Sequence, residues 1–128
     1  MWFDHASGKE KIKFMFNNEL SVDEIEFKNF LFNGDLVRFQ FVIKKIPKVY
    51  PKKWDAENFN AISLVFSFVN INKFEFYGRK SNFFCSPTFF SVTGRSVIEF
   101  KGEDFYLYCD AEFISIDGVS PYIDERWD

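Results

Sequence analysis

PKKWDAENFNAISLVFSFVNINKFEFYG, residues 51–78, carries the pattern on which the fold turns. In its second half Ile62, Leu64, Phe66 and Phe68 alternate with Ser63, Val65, Ser67 and Val69. A period of two sets the large apolar side chains on one face of a β-strand. Asn70-Ile71-Asn72 follows as a short connector rich in turn-forming asparagine, and Phe74 and Phe76 resume the alternation. The segment therefore predicts an antiparallel hairpin in which Phe68 pairs with Phe74 and Phe66 with Phe76. The first half differs. Pro47 and Pro51 cannot donate to a ladder, and Lys44, Lys45, Lys48, Lys52 and Lys53 crowd the approach. That describes a long solvated connection with Trp54 and Phe59 as its anchors, as Phe66 and Phe68 are those of the strand.

Working outward toward the N-terminus, Asn33-Gly34-Asp35 separates two strand-like runs, Val22 to Phe32 and Leu36 to Lys44, and marks a second hairpin. A three-residue loop sets Leu31 opposite Val37, Phe27 opposite Phe41 and Ile25 opposite Ile43, which gathers the apolar side chains on one face. Before it, Ser7 and Glu10 have capping-box spacing, and Ile12, Met15 and Phe16 then share a helical face. The box favours a short helix over 8–16, against a competing strand reading in which Ile12, Phe14 and Phe16 alternate.

Toward the C-terminus, residues 79–82 form a polar turn, and Pro87 breaks the aromatic run Phe83 to Thr93 into an irregular edge strand. Ser96 to Phe100 is a short strand between two glycine turns, and Phe105 to Ile116 is the longest. In that last strand Phe105, Leu107, Cys109, Ala111 and Phe113 share one face. Tyr106, Tyr108, Asp110, Glu112 and Ile114 share the other, and the Tyr-Tyr-Asp-Glu run reads as its solvent side. Asp117-Gly118 closes the strand, leaving a polar tail with Tyr122 and Trp127 free to dock. The expectation is a mainly β fold: an antiparallel sheet or sandwich of six to eight strands with one short N-terminal helix, built as one domain over 1–128.

Composition narrows the function. With 47% hydrophobic and 27% charged residues the chain is ordinary globular material. Its 20 phenylalanines reflect either β-rich packing or a coding bias. A formal charge of −3 without a basic stripe argues against nucleic acid. No window is long and apolar enough to span a membrane, and MWFDHASGKE lacks a basic leader and an apolar h-region, so a cytoplasmic location is expected. Cys85 and Cys109 then read as small buried hydrophobes.

Catalytic chemistry finds little purchase. His5 is the only histidine and neither cysteine is near it in sequence; metal-ligand spacing and phosphate-binding glycine loops are absent, so no enzyme, metal or cofactor is expected. Carboxylates gather at Glu19, Asp23, Glu24 and Glu26, at Asp110 and Glu112, and at Asp124, Glu125 and Asp128. Such pairs serve acid/base chemistry or a cation in some proteins, form a solvated strand face in most, and can offer an acidic surface to a basic partner. The Lys44 to Lys53 cluster reads first as the means of keeping a loop soluble.

Taken together, Pro51-Lys52-Lys53-Trp54, Phe59-Asn60, the strand ending at Phe68 and the one closing at Gly78 resemble one of the bacterial polymorphic-toxin immunity families, the one numbered fifty. Trp2, the helical segment, the hairpin at Asn33-Gly34-Asp35 and a late strand with Asp117 near its end extend the resemblance over nearly the whole chain. It implies a protein that binds a cognate secreted toxin and blocks it by occlusion, without catalysis. The alternative is a β-domain that binds a small molecule or carbohydrate on an aromatic sheet face. For a protein partner, the candidate contact residues are Tyr106, Tyr108, Asp110 and Glu112, with Glu24 and Glu26 as an acidic extension.

Overall fold

The computed structural model describes residues 2–16, 20–22, 24–79 and 83–123. A helix α1 (Glu10–Phe16) precedes β1 (Ile25–Asn33) and β2 (Leu36–Ile43); a 3₁₀ helix (Lys52–Glu57) leads into β3 (Ala61–Gly78), and β4 (Phe83–Cys85), β5 (Thr88–Val92), β6 (Arg95–Gly102) and β7 (Phe105–Tyr122) complete the chain. Among the described residues all seven strands join one antiparallel sheet in the order β4-β1-β2-β3-β7-β6-β5. The expected class, strand range and short N-terminal helix are what the described residues adopt.

The expected hairpin at Asn70-Ile71-Asn72 does not form. β3 runs straight through it for 18 residues and pairs along its length with β7, so Phe68 lies opposite Ile114 and Phe66 opposite Ile116. The asparagines make an irregularity instead of a turn. Asn70 adopts a positive φ of 60°, and the register shifts between Ile71 and Lys73, leaving Asn72 as an extra residue. Asparagine tolerates the left-handed region in a turn and in a bulge alike. β7 is likewise not closed by Asp117-Gly118: it continues to Tyr122, with Asp117 as the extra residue between Ile116 and Gly118. Trp127 and the carboxylates Glu19, Asp23, Asp124, Glu125 and Asp128 lie outside the described residues, as do residues 80–82 of the turn expected at 79–82.

In the first hairpin the turn is tighter than expected. Asn33 pairs with Leu36 around a two-residue turn in which Gly34, at φ 61°, takes a conformation that favours glycine. Leu31 therefore meets Arg38, not Val37, and is exposed. A bulge at Lys28 then recovers the expected pairing of Phe27 with Phe41. The bulge lets Phe27 and Phe30 both turn inward, with ring centroids 6.3 Å apart.

The β3–β7 ribbon also explains how one sheet makes a two-sided core. Ile114 and Ile116 are buried with Phe66 and Phe68 in one half of the ribbon, and Leu107 and Cys109 are buried in the other. Residues 109 and 114 are five apart on β7, and the bulge at this level adds its extra residue to β3 and not to β7, so the two halves bury opposite faces. The sheet consequently doubles over. Phe100 of β6 reaches Phe27, Phe41 and Phe39 at 5.2, 5.6 and 6.3 Å, and Phe105 of β7 reaches Phe27 at 5.2 Å. A long, strongly twisted ribbon makes this possible, since strand twist accumulates along the chain.

The two ends of the strand order are also joined directly. β4 pairs with β1 and β5 with β6, yet only Ser86 and Pro87 separate them. Pro87 has no N–H for a ladder, so the chain leaves one border of the sheet there and joins the other. At the open side, Ser7 takes a place beside β7, its N–H donating to Ile114 O and its carbonyl accepting from Ile116 N, both at 2.8 Å. This seats α1 with Ile12 and Phe16 buried. Trp54 docks the lysine-rich connection: it is 3% exposed and packs on Phe16, Phe59 and Tyr50 with centroids 5.6, 5.6 and 6.4 Å away.

Candidate binding face

Because β3 passes the Asn70 bulge as a strand, β5, β6, β7 and the second half of β3 lie side by side. Pairing then places their side chains in rows. Phe90, Val97, Asp110 and Lys73 form one row; Thr88, Glu99, Tyr108 and Glu75 the next; Lys101, Tyr106 and Tyr77 a third. Partners across a sheet share a face, and these are the ones turned away from the buried Leu107 and Cys109. Three tyrosines and a phenylalanine are thus set among both signs of charge. Tyr77 is 67% and Phe90 52% exposed, whereas Tyr106, Tyr108 and Asp110 are half-buried.

The polar groups hold one another in place. Arg95 donates from Nη2 to Asp110 Oδ2 at 2.9 Å and lies over the Phe90 ring, its carbon Cζ 5.8 Å from the centroid. Lys73 Nζ sits 3.0 Å from Glu75 Oε1 and 5.9 Å from the centre of Tyr108. Tyr106 donates its hydroxyl to Glu99 at 2.9 Å, and Asn70 Nδ2 donates to Glu112 at 2.8 Å. The Glu99 bond, with some desolvation, pushes the Tyr106 phenol up to about 12. Glu75 raises the Lys73 ammonium and Asp110 raises the Arg95 guanidinium, each through a hydrogen bond to the charged form. Carboxylates here sit beside the Lys73 and Arg95 cations, so the face is a mosaic and not the purely acidic surface that the strand pattern alone suggests.

Of the candidate contact residues, the structure brings Tyr106, Tyr108, Asp110 and Glu112 together on this face. It does not bring the other two. Glu26 is buried at 1% exposure on β1, with Lys28 Nζ 3.5 Å away, and is no accessible extension. The cause is its strand, which sits between β4 and β2 with β2 and β3 separating it from β7. Glu24 is exposed at a positive φ of 51°, donates its N–H to Ser86 Oγ, and lines a cleft of about 620 Å³ with Lys44, Lys45 and Cys85. Conversely, Lys73, Glu75, Tyr77, Glu99 and Phe90 belong to the face without having been singled out. For Lys73, Glu75 and Tyr77 the signal was their alternation against Phe74 and Phe76.

The other polar cluster, on the opposite half of the sheet, is self-contained. Asp117 accepts from Ser67 Oγ, from Ser115 Oγ at 3.2 Å and from Arg38 Nε at 3.3 Å, so the bulged carboxylate spends its lone pairs on its own neighbours. The thiols offer no nucleophile: burial pushes Cys85 and Cys109 each up to about 12, and both stay protonated at neutral pH. Among the described residues no group of three or more His, Cys, Asp or Glu stands where it would hold a metal ion, and no helix is long and apolar enough to cross a membrane.

The family described as Immunity protein 50 matches the chain over residues 8–122. The chain belongs to that family. The Immunity protein 50 match takes in every strand and every residue of the face above, while Trp2 and His5 precede it. Membership assigns the chain an immunity function. No curated protein and no solved structure matches it.

Proposed function

We propose that this protein protects the cell that makes it by binding a cognate secreted toxin through the outer face of β3, β7, β6 and β5, occluding the toxin without catalysis of its own. Family membership supports the immunity role, and one observation carries the choice of surface: four strands in register present Tyr77, Tyr106, Tyr108 and Phe90 within a frame of paired charges. Binding energy at protein interfaces concentrates in aromatic and arginine anchors surrounded by polar residues. Tyrosine suits such a surface because a rigid ring buries apolar area while its hydroxyl stays satisfied.

On this reading the ion pairs preorganise the anchors. Arg95 and Lys73 sit over or beside rings whose orientation a partner would otherwise have to fix at an entropic cost. The protein acts in the cytoplasm, where it meets the toxin before release. The test is to look for a toxin-like gene beside the gene for this protein and to co-express the two, followed by copurification and titration calorimetry. A stoichiometric complex supports the reading, and two proteins that separate at micromolar concentration overturn it.

A further inference from the structure

Among the described residues, β5 pairs with β6 alone and makes no other backbone hydrogen bond, so the donors and acceptors along its outer side have no partner there. Natural sheets guard such borders with lysine, proline or a bulge. This strand reads Thr-Phe-Phe-Ser-Val, with no charge and no register shift, and the three side chains of its outer face, Thr88, Phe90 and Val92, are all exposed. β4, at the other end of the strand order, is only three residues long.

The strand is complementary to itself. An antiparallel pair of two β5 strands about a twofold axis at Phe90 sets Phe90 against Phe90, Thr88 against Val92 and Phe89 against Ser91. Its outer row is then an aromatic pair flanked by two pairs of β-branched residues, a combination that favours strand pairing. What lies outside the strand selects this register. A slip of two residues one way leaves three strand pairs and next admits Pro87, which has no N–H; the other way it admits Thr93 and Gly94, the turn to β6, where Gly94 has a φ of 86°. A slip of one residue would turn the outer side chains to the inner face. The Phe90 register alone uses all five residues, and it opposes no like charges. Within each copy Arg95 stands beside Val92 and Glu99 beside Thr88, so the Arg95 end of one hairpin comes alongside the Glu99 end of the other. Both groups stay bonded inside their own copy, to Asp110 and Tyr106. The segment that fits this border in face, register and charge is thus β5 itself.

We infer that β5 pairs with β5 of a second copy of this chain across a twofold axis at Phe90, joining the two sheets into one. The contact is isologous, each copy giving the other the same five residues. Partners across a strand pair share a face, so the two outer faces lie on the same side. The row Asp110, Val97, Phe90 of one copy runs on into Phe90, Val97 and Asp110 of the second copy. This contact needs no toxin and does not rest on the toxin-binding reading, but it sets two such faces side by side.

The experiment is sedimentation velocity on the full chain from low to high micromolar concentration. Phe90→Lys and Phe90→Glu are measured singly and as an equal mixture, with thermal melts as the folding control; Phe90 is 52% exposed, so neither change disturbs the core. Residue 90 faces its own counterpart at the axis, so each variant alone sets like charges together and the mixture sets opposite ones. The wild type is expected to dimerise, each variant to self-associate at least tenfold more weakly, and the mixture to associate at least tenfold more tightly than either variant alone. Hydrogen exchange of the wild type above and below the dimerisation midpoint needs no variant, and β5 amides should exchange at least tenfold more slowly in the dimer. A wild type that stays monomeric overturns the inference. So does a dimer in which β5 exchanges as fast as in the monomer, or a mixture that associates no more tightly than its components. Each of these results leaves toxin binding standing, since copurification tests it separately.

Discussion

Asn70 and Glu112 face each other across the β3–β7 ribbon, amide Nδ2 to carboxylate Oε2 at 2.8 Å, at the level where the ribbon exchanges one buried face for the other. On one side of the pair Phe68 and Ile114 are core; on the other Cys109 is core and Asp110 faces solvent. The backbone of Asn70 is in the left-handed region at φ 60°. These facts make position 70 a structural requirement of the fold-over, independent of any binding.

Replacing Asn70 by valine should therefore destabilise the protein by ~2 kcal/mol, combining left-handed strain in a β-branched residue with the lost bond to Glu112. Asn70→Gly should stay within about 0.5 kcal/mol of wild type, because glycine accepts the backbone and the lost bond is exposed. Urea unfolding of the two variants checks this. Equal losses would mean that the side-chain bond, and not the backbone, fixes the ribbon.

Trp54 supports a second prediction. It fills the space between α1 and the 3₁₀ helix and is 3% exposed, with three rings against it. Trp54→Ala should cost ~3–5 kcal/mol, as deletions of large buried aromatics do. A loss below about 0.5 kcal/mol would place Trp54 at the surface and make it a candidate contact instead.

The alternations at Ile62 to Phe68 and at Phe105 to Glu112 were legible because a period of two is local; the helix expected over 8–16 rested on the Ser7 and Glu10 spacing, because its apolar positions fitted a strand as well, and it forms over Glu10–Phe16. What could not be read was long-range. Asn-Ile-Asn is equally good chemistry for a turn and for a bulge, and only the presence of β7 as an 18-residue partner decides between them. Lys28 is similar, since no residue type announces a bulge, and its consequence is that Phe27 meets Phe41 as expected while Leu31 does not meet Val37. The face was half legible for the same reason. One strand supplied Tyr106 to Glu112, but its neighbours follow from registers that sequence does not state, and Glu26 looked solvated because its burial depends on how distant elements close over β1.

A third prediction concerns Tyr106, whose phenol is raised to about 12 chiefly by its bond to Glu99. A raised folded pKa means that the associated stability is complete below about pH 10, the ordinary tyrosine value, and is lost as pH rises toward 12. Wild type should thus lose stability relative to Tyr106→Phe between those two values and not below them, as thermal melts over that range would show. A pH-independent difference between the two proteins would mean that the Glu99 bond does not persist in solution.

The last prediction concerns the face itself. Tyr108 stands at its centre, flanked in its row by Glu75 and Glu99, with the Lys73 ammonium 5.9 Å from its ring, and Asp110 is the partner of Arg95. The double variant Tyr108→Ala, Asp110→Lys should stay folded: Tyr108 is only half-buried, and an ion pair whose arginine is 52% exposed contributes at most about 1 kcal/mol. Binding should suffer more, because the variant removes an aromatic anchor and sets a third cation beside Arg95 and Lys73. A tenfold or greater loss of affinity for the toxin is expected, equivalent to at least about 1.4 kcal/mol. Against a basic toxin surface, association should also slow, and by a larger factor at low salt, because charges at an interface rim act mainly on encounter and are screened by ions. Titration calorimetry gives the affinity, stopped-flow mixing at two salt concentrations gives the rate, and thermal melts control for folding. A folded double variant with unchanged affinity would move the interface off this face, and the exposed lysines around the Lys44 to Trp54 connection would be the next surface to test.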